Sequence, residues 1–229
     1  MLLACGLVAP QLAVASSGGV AAPIVVPDGG VSPSGGVGPS TTPAPAPPST
    51  PAPPSTSTST PAPTPTPVLP PGFGSGRRDV PPLYLHLYRA AGKADGVDWR
   101  LLAAIGKVES NHGRSTAAGV LSGLNYAHCC AGPMQICRVA SCGNVWAHYG
   151  VDADGDGLIS PYSPADAIFA AAALLRDIQA AVGSRPALVL AGYNAGPGRV
   201  LLYRGVPPYP ETRSYVSRGV AYMQSLRHR

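Results

Sequence analysis

Ala103-Ala104-Ile105-Gly106-Lys107-Val108-Glu109-Ser110 closes an apolar run whose spacing is that of a buried helix. Val97, Leu101, Ile105 and Val108 recur three or four residues apart and therefore share one helical face. Asp98 has the side chain of an N-cap and Gly113 supplies a stop. The chain holds only two glutamates, Glu109 and Glu211, and the first ends this run. A carboxyl set among apolar side chains loses hydration and keeps its proton toward neutral pH, the state a general acid needs. The plain alternative is a solvated carboxylate at a helix end.

Outward from that helix, the pattern predicts a mainly α domain. Val80-Pro81-Pro82 opens a helix near Leu83 to Ala91, with Leu83, Leu87 and Ala91 on one side and Gly92 as terminator. Ser163-Pro164-Ala165-Asp166 starts a helix over 165–182, ended by Gly183. Its interior from Ile168 to Leu175 is apolar nearly all round, which predicts a central buried element. Pro186 opens a further helix to Tyr193, and a last one runs from about Thr212 to Arg227 with Val216, Val220 and Met223 inward. Residues 113–150 are rich in Gly and Cys and read as loop and short helix. No run of alternating strands stands out, so any β structure is short and falls between 113 and 160.

The rest of the chain is of another kind. Of 28 prolines, 17 lie between Pro23 and Pro71, and Asp28 is the one charged side chain before Arg77. Such a stretch cannot bury enough apolar surface to offset its ordering entropy, so 16–78 reads as a disordered Pro/Ser/Thr-rich linker. At ~3.1 Å per residue, forty-five polyproline residues reach at most about 140 Å. Residues 79–229 are then long enough for one domain with its own core. Residues 1–15 read as a leader: an apolar segment ending in Ala13-Val14-Ala15, or a lipoprotein box in Leu2-Leu3-Ala4-Cys5 with Cys5 lipidated. The missing positive n-region predicts a start further upstream. Both readings imply export, with a membrane partner only through a lipidated Cys5. The net charge of +5 suits an anionic partner, and no zinc knuckle, basic helix or phosphate loop supports nucleic acid.

Cys129, Cys130, Cys137 and Cys142 form an even, local set, which in an exported domain reads as two disulfides. Adjacent cysteines pair poorly. This leaves 129–137 with 130–142, or 129–142 with 130–137. A zinc site competes, but the spacing lacks a Cys-x-x-Cys knuckle.

Four segments carry a family resemblance: Ile105-Gly106-Lys107-Val108-Glu109-Ser110, Gly132-Pro133-Met134-Gln135-Ile136, Ala191-Gly192-Tyr193-Asn194-Ala195-Gly196, and Tyr209-Pro210-Glu211-Thr212-Arg213-Ser214-Tyr215-Val216. Together, in this order, they resemble the lytic transglycosylase (SLT, goose-lysozyme-like) superfamily over nearly all of 95–225. The segments around 109–115 and 151–172 look like its membrane-bound B-type branch, the later ones like its soluble branch. The resemblance implies a lysozyme-like α+β fold, peptidoglycan glycan strands as partner, a monomer, and no cofactor for catalysis. It makes Glu109 the acid/base and places Met134, Gln135, Tyr193, Asn194 and Tyr215 along the substrate groove. The bland readings are a core methionine for Met134 and a buried helix-end tyrosine for Tyr193. Ser110 and Ser122 do not transfer, because the cysteine-bearing insertion departs from the family pattern. A goose-type hydrolase and a non-catalytic wall-binding module are the alternative functions.

Asp152-Ala153-Asp154-Gly155-Asp156-Gly157-Leu158 matches the first seven positions of a calcium loop, including the sharp-turn glycine. Position twelve is Ser163 where a bidentate Glu belongs, so a longer loop ending at Asp166 is expected, as in the B-type branch. The alternative is a capping box between Ser163 and Asp166. His112, His128 and His148 share no metal spacing and read as satisfied loop or surface residues.

Overall fold

Proline, aspartate and serine at the heads of the apolar runs, and glycine at several tails, set the helix bounds in the computed structural model, which describes residues 69–227. The expected leader over 1–15, most of the expected linker over 16–78 and the last two residues lie outside the described residues. Helix α1 spans Pro82–Asp95 and α2 spans Trp99–Ser110, where the Asp98 carboxylate accepts from Arg100 N as a cap. Two short strands follow, β1 at Cys130–Ala131 and β2 at Ile136–Cys137, antiparallel with Cys130 opposite Cys137. The remaining helices are α3 (Val145–Tyr149), α4 (Pro164–Val182), α5 (Pro186–Ala195), α6 (Pro197–Tyr203) and α7 (Pro210–Ser225). The domain is mainly helical with little strand, as the sequence predicts. No single helix among the described residues is long and apolar enough to cross a membrane.

Three boundaries differ from expectation, each for a physical reason. Gly92 does not end α1, which continues to Gly96 at φ 67°. A Cβ on Gly92 would stand 2.7 Å from the carbonyl oxygen of Val97, so this glycine serves the close return of the chain. Helix α6 has no counterpart in the expected pattern, yet proline fits its first helical position, where the missing N–H costs nothing. Packing also reaches upstream of residue 79: Leu69 and Phe73 lie against the core, and the Phe73 ring meets Tyr222 edge-on at 6.2 Å.

The centre of the domain is α2 as much as α4. Every residue from Leu101 to Val108 is buried, with α1, α4, α5 and α7 packed around the helix. Helix α4 buries Ala167, Ile168, Ala170, Ala171, Ala172, Leu175 and Ile178, while Phe169 and Leu174 on its other side are only partly covered. Each fully buried Leu or Ile contributes about 1.5–3 kcal/mol. Lys107 sits within this core, so its ammonium must be compensated. It pairs with Asp79 at 2.7 Å, donates to Asn111 Oδ1 at 2.7 Å and lies over the rings of Phe73 and Tyr222.

Candidate active site

Glu109 is the penultimate residue of α2, half-buried where the helix ends. The end is built from three successive left-handed residues, Asn111, His112 and Gly113, at φ 53°, 56° and 72°. Ser110 fastens it: the buried Oγ accepts from Gly113 N at 2.7 Å and donates to the Pro133 carbonyl at 2.7 Å. Sequence comparison alone gave Ser110 no role, and the structure makes it a brace between the acid-bearing helix and the Gly132–Gln135 turn.

That turn requires its glycine. Gly132 has φ 78°, and a Cβ there would run into the carbonyl oxygen of Pro161. Gln135 is also left-handed, and its Nε2 donates to Gly132 O at 2.8 Å, closing the turn on itself. Met134, expected along the groove, is fully buried and belongs to the core. The correction follows from the turn: its side chain faces inward, and its carbonyl accepts from the Tyr193 hydroxyl at 2.8 Å.

Tyr215, on α7, donates to Glu109 Oε1 at 2.8 Å. Burial raises the Tyr215 phenol well above its ordinary pKa, and the neighbouring charges of Glu109 and Tyr193 add to this, so it remains a donor. Burial likewise raises Tyr193, with Glu109, Cys130 and Cys137 among its electrostatic neighbours. Asn194 Oδ1 accepts from Thr212 Oγ1 at 2.7 Å, which fixes the amide on α5 against α7. Thr212 was not singled out beforehand. Its signal is spacing, since Thr212 and Tyr215 are three apart and share one face of α7. Glu109, Ser110, Tyr193, Asn194 and Tyr215 are therefore linked through α2, α5, α7 and the 132–135 turn.

Behind the helix end, His112 is satisfied as expected but wholly buried. Tyr222 gives its hydroxyl proton to Asp79 Oδ2 at 2.8 Å, so His112 Nε2, 2.9 Å from the Tyr222 oxygen, is the donor there. Nδ1 then accepts from Tyr88 at 3.0 Å, and the ring is neutral. Burial depresses its pKa to about 3; the charges of Lys107 and Arg114 push the same way and Asp79 the other.

In the loop before α4, carboxylate oxygens of Asp152, Asp154 and Asp156 lie within 4.8 Å of one another. Asp152 Oδ1 accepts from Gly155 N and Asp156 N, and its Oδ2 from Gly157 N. Asp156 Oδ1 accepts from Leu158 N at 2.8 Å. Asp166, expected as the closing ligand, is not part of this cluster. Both its oxygens are taken by backbone donors, Ala153 N at 2.8 Å and Ser160 N at 2.9 Å, so it braces the loop from the buried start of α4. Of the cysteines, Cys129 is bonded to Cys142.

A family model described as the transglycosylase SLT domain matches residues 86–208, more than half of the chain. The match takes in Glu109, the 132–135 turn and the Tyr193–Asn194 pair, and stops short of the helix that carries Tyr215. With its mainly helical fold, the chain belongs to the SLT transglycosylase family of lysozyme-like enzymes, which cleave glycosidic bonds in peptidoglycan and need no cofactor to do so.

Proposed function

We propose that this chain is an exported lytic transglycosylase that cuts the bond between N-acetylmuramic acid and N-acetylglucosamine, with Glu109 acting as both acid and base. The observation that carries this reading is the buried Tyr215 hydroxyl donating to Glu109 Oε1 at 2.8 Å. In the first half, protonated Glu109 gives its proton to the glycosidic oxygen, and the muramic N-acetyl carbonyl stabilises the oxocarbenium-like charge. In the second, the Glu109 carboxylate takes the proton of the sugar's own C6 hydroxyl, whose oxygen bonds to C1 and closes a 1,6-anhydro ring. A phenol that donates to the carboxylate favours the charged form and so prepares the second half. Gln135 and the Asn194 amide contact the sugar.

Most glycosidases use two carboxylates. The other described carboxylates are committed elsewhere or exposed, which supports a one-carboxylate route. Asp79 is held by Lys107 and Arg114, Asp95 by Arg176, Asp98 by Arg100, and Asp177 by Tyr149 and Arg176. Asp166 and the 152–156 cluster serve their loop, and Glu211 is exposed at the head of α7. Glu109→Gln is expected to abolish release of fragments from purified peptidoglycan while leaving the fold intact; retained activity removes Glu109 from the role. Product masses decide the reaction, since an anhydro end is one water lighter than the end a hydrolase leaves.

The loop fits a hard divalent cation. Three aspartates supply converging oxygens, and the Asp152 bonds to Gly155, Asp156 and Gly157 preorganise the turn. Asp152, Asp154, Asp156 and the Leu158 carbonyl would hold calcium there, and its part is structural. Export is supported by the Cys129–Cys142 bond, of the kind that persists in oxidising compartments.

A further inference from the structure

The hairpin β1–β2 exists to present the 132–135 turn, and cysteines stand at its base. Arg138 N donates to Cys129 O at 2.9 Å, which makes 129/138 a hydrogen-bonded pair of the ladder. The adjacent pair, Cys130 and Cys137, is then a narrow non-hydrogen-bonded pair with Cα atoms ~4.5 Å apart, inside the span that a disulfide bridges. Their Sγ atoms face each other at 2.7 Å. Both cysteines are electrostatic neighbours of Tyr193, as Glu109 is. Between them, the turn offers two carbonyls to the catalytic machinery: Pro133 O to Ser110 and Met134 O to Tyr193. Cys129, Cys130 and Cys137 could also gather a thiophilic metal, but Cys129 is spent on Cys142 and two thiolates do not make a structural zinc site.

We propose that Cys130 and Cys137 form a second disulfide, and that this bond is a positioning element for the Glu109 reaction, holding the turn so that Ser110 and Tyr193 stay seated beside the acid. Formation is a thiol–disulfide exchange. The two thiols lose two protons and two electrons to an external disulfide, which leaves as two thiols, and one S–S bond is made for one broken. Reduction frees the hairpin base, lets the Pro133 and Met134 carbonyls drift, and slows turnover while the helical core stays folded. The positioning role rests on the activity proposed above; the bond itself does not.

The test uses the full chain and its Cys130→Ala/Cys137→Ala double variant. Peptide mapping without reduction is expected to recover a 130–137 link alongside 129–142, with neither cysteine alkylated. Alkylation of both in untreated protein, or a zinc-dependent mass, overturns the bond. Amide exchange over 132–136 is expected to quicken in the variant while α2 and α7 keep their protection; unchanged exchange overturns the positioning role. With peptidoglycan as substrate, the variant is expected to lose about tenfold to a hundredfold in kcat with KM and melting little changed, since displacements of order 1 Å cost this much. In the wild type, loss under a mild thiol reductant should be recovered with oxidised glutathione, and a wild-type kcat in the variant overturns the proposal. If wild-type chain releases no fragments, the functional reading falls, and mapping and exchange still decide the hairpin.

Discussion

Tyr215 and Glu109 stand 106 residues apart in the chain, and their side chains meet at 2.8 Å, phenol to carboxyl, where α7 crosses the end of α2. The acid thus depends on a helix that the matched family segment does not reach. Tyr215→Phe keeps the ring in its buried slot and removes only the donor. A hydrogen bond to a charged group is worth about 1.5–3 kcal/mol. The expected result is a kcat loss of about tenfold or more on peptidoglycan with near-normal melting. An unchanged kcat would leave Tyr215 as packing alone.

Gly106 faces the Tyr88 hydroxyl across α1 and α2 so closely that no Cβ fits between them. Gly106→Ala is expected to cost about 1–3 kcal/mol through overpacking despite the better helix propensity of alanine. Adding Tyr88→Phe removes the clashing oxygen, although it strips His112 Nδ1 of its donor. Urea unfolding of the single and double variants should therefore show partial recovery in the double. Strictly additive losses would contradict the contact.

Stability should depend on pH through His112. An unfolded chain takes up the imidazole proton near 6.5, whereas the folded ring, desolvated among Tyr84, Tyr88, Tyr222, Asp79, Lys107 and Arg114, resists it until about 3. Between these values the unfolded state binds more protons, so stability is full above 6.5 and falls as pH falls, by at most about 1.4 kcal/mol per unit. Asp79 adds nothing in the upper part of this window. Burial alone would raise its carboxyl, but bonds from Lys107, Tyr222 and Arg114 hold it below 3.8. Unfolding midpoints from pH 7 to 4.5, with NMR of the imidazole carbons, provide the check. A ring that protonates near 6 in the folded protein would contradict the burial argument.

Calcium at the 152–158 loop should raise the melting temperature, because a ligand that binds only the folded state at a hundredfold excess over Kd stabilises by about 2.7 kcal/mol. Asp154→Ala is expected to lose that increment and retain the fold. Equal melting of the parent with calcium and with chelator would dismiss the site.

Helix heads were legible because caps are local: Asp98, Ser163 and the prolines act on the next few residues whatever the tertiary fold. Gly92 was misread because its reason lies across space, in the carbonyl of Val97. Glu109 stood out by its place at the end of an apolar run. Which tyrosine reaches it did not, since that depends on how α5 and α7 pack: Tyr215 does, while Tyr193 donates to the Met134 carbonyl. Met134 and Asp166 show the same limit: both side chains were given to ligands, and both are used by the protein itself. The enclosure of His112 needs residues from α1, α7 and the segment before α1, which no local pattern reports.

Gly76 N donates to Ser225 Oγ at 3.0 Å, and Asp79 takes the Tyr222 hydroxyl, so the chain enters the domain beside the place where its final helix finishes. A pull on the chain from upstream therefore meets Phe73 and that knot of Asp79, Tyr222 and Ser225 before any strain reaches Glu109. The same adjacency makes the domain a good subject for circular permutation, with a short bridge joining these two places and new ends opened at an exposed connection such as Gly183–Ser184 between α4 and α5.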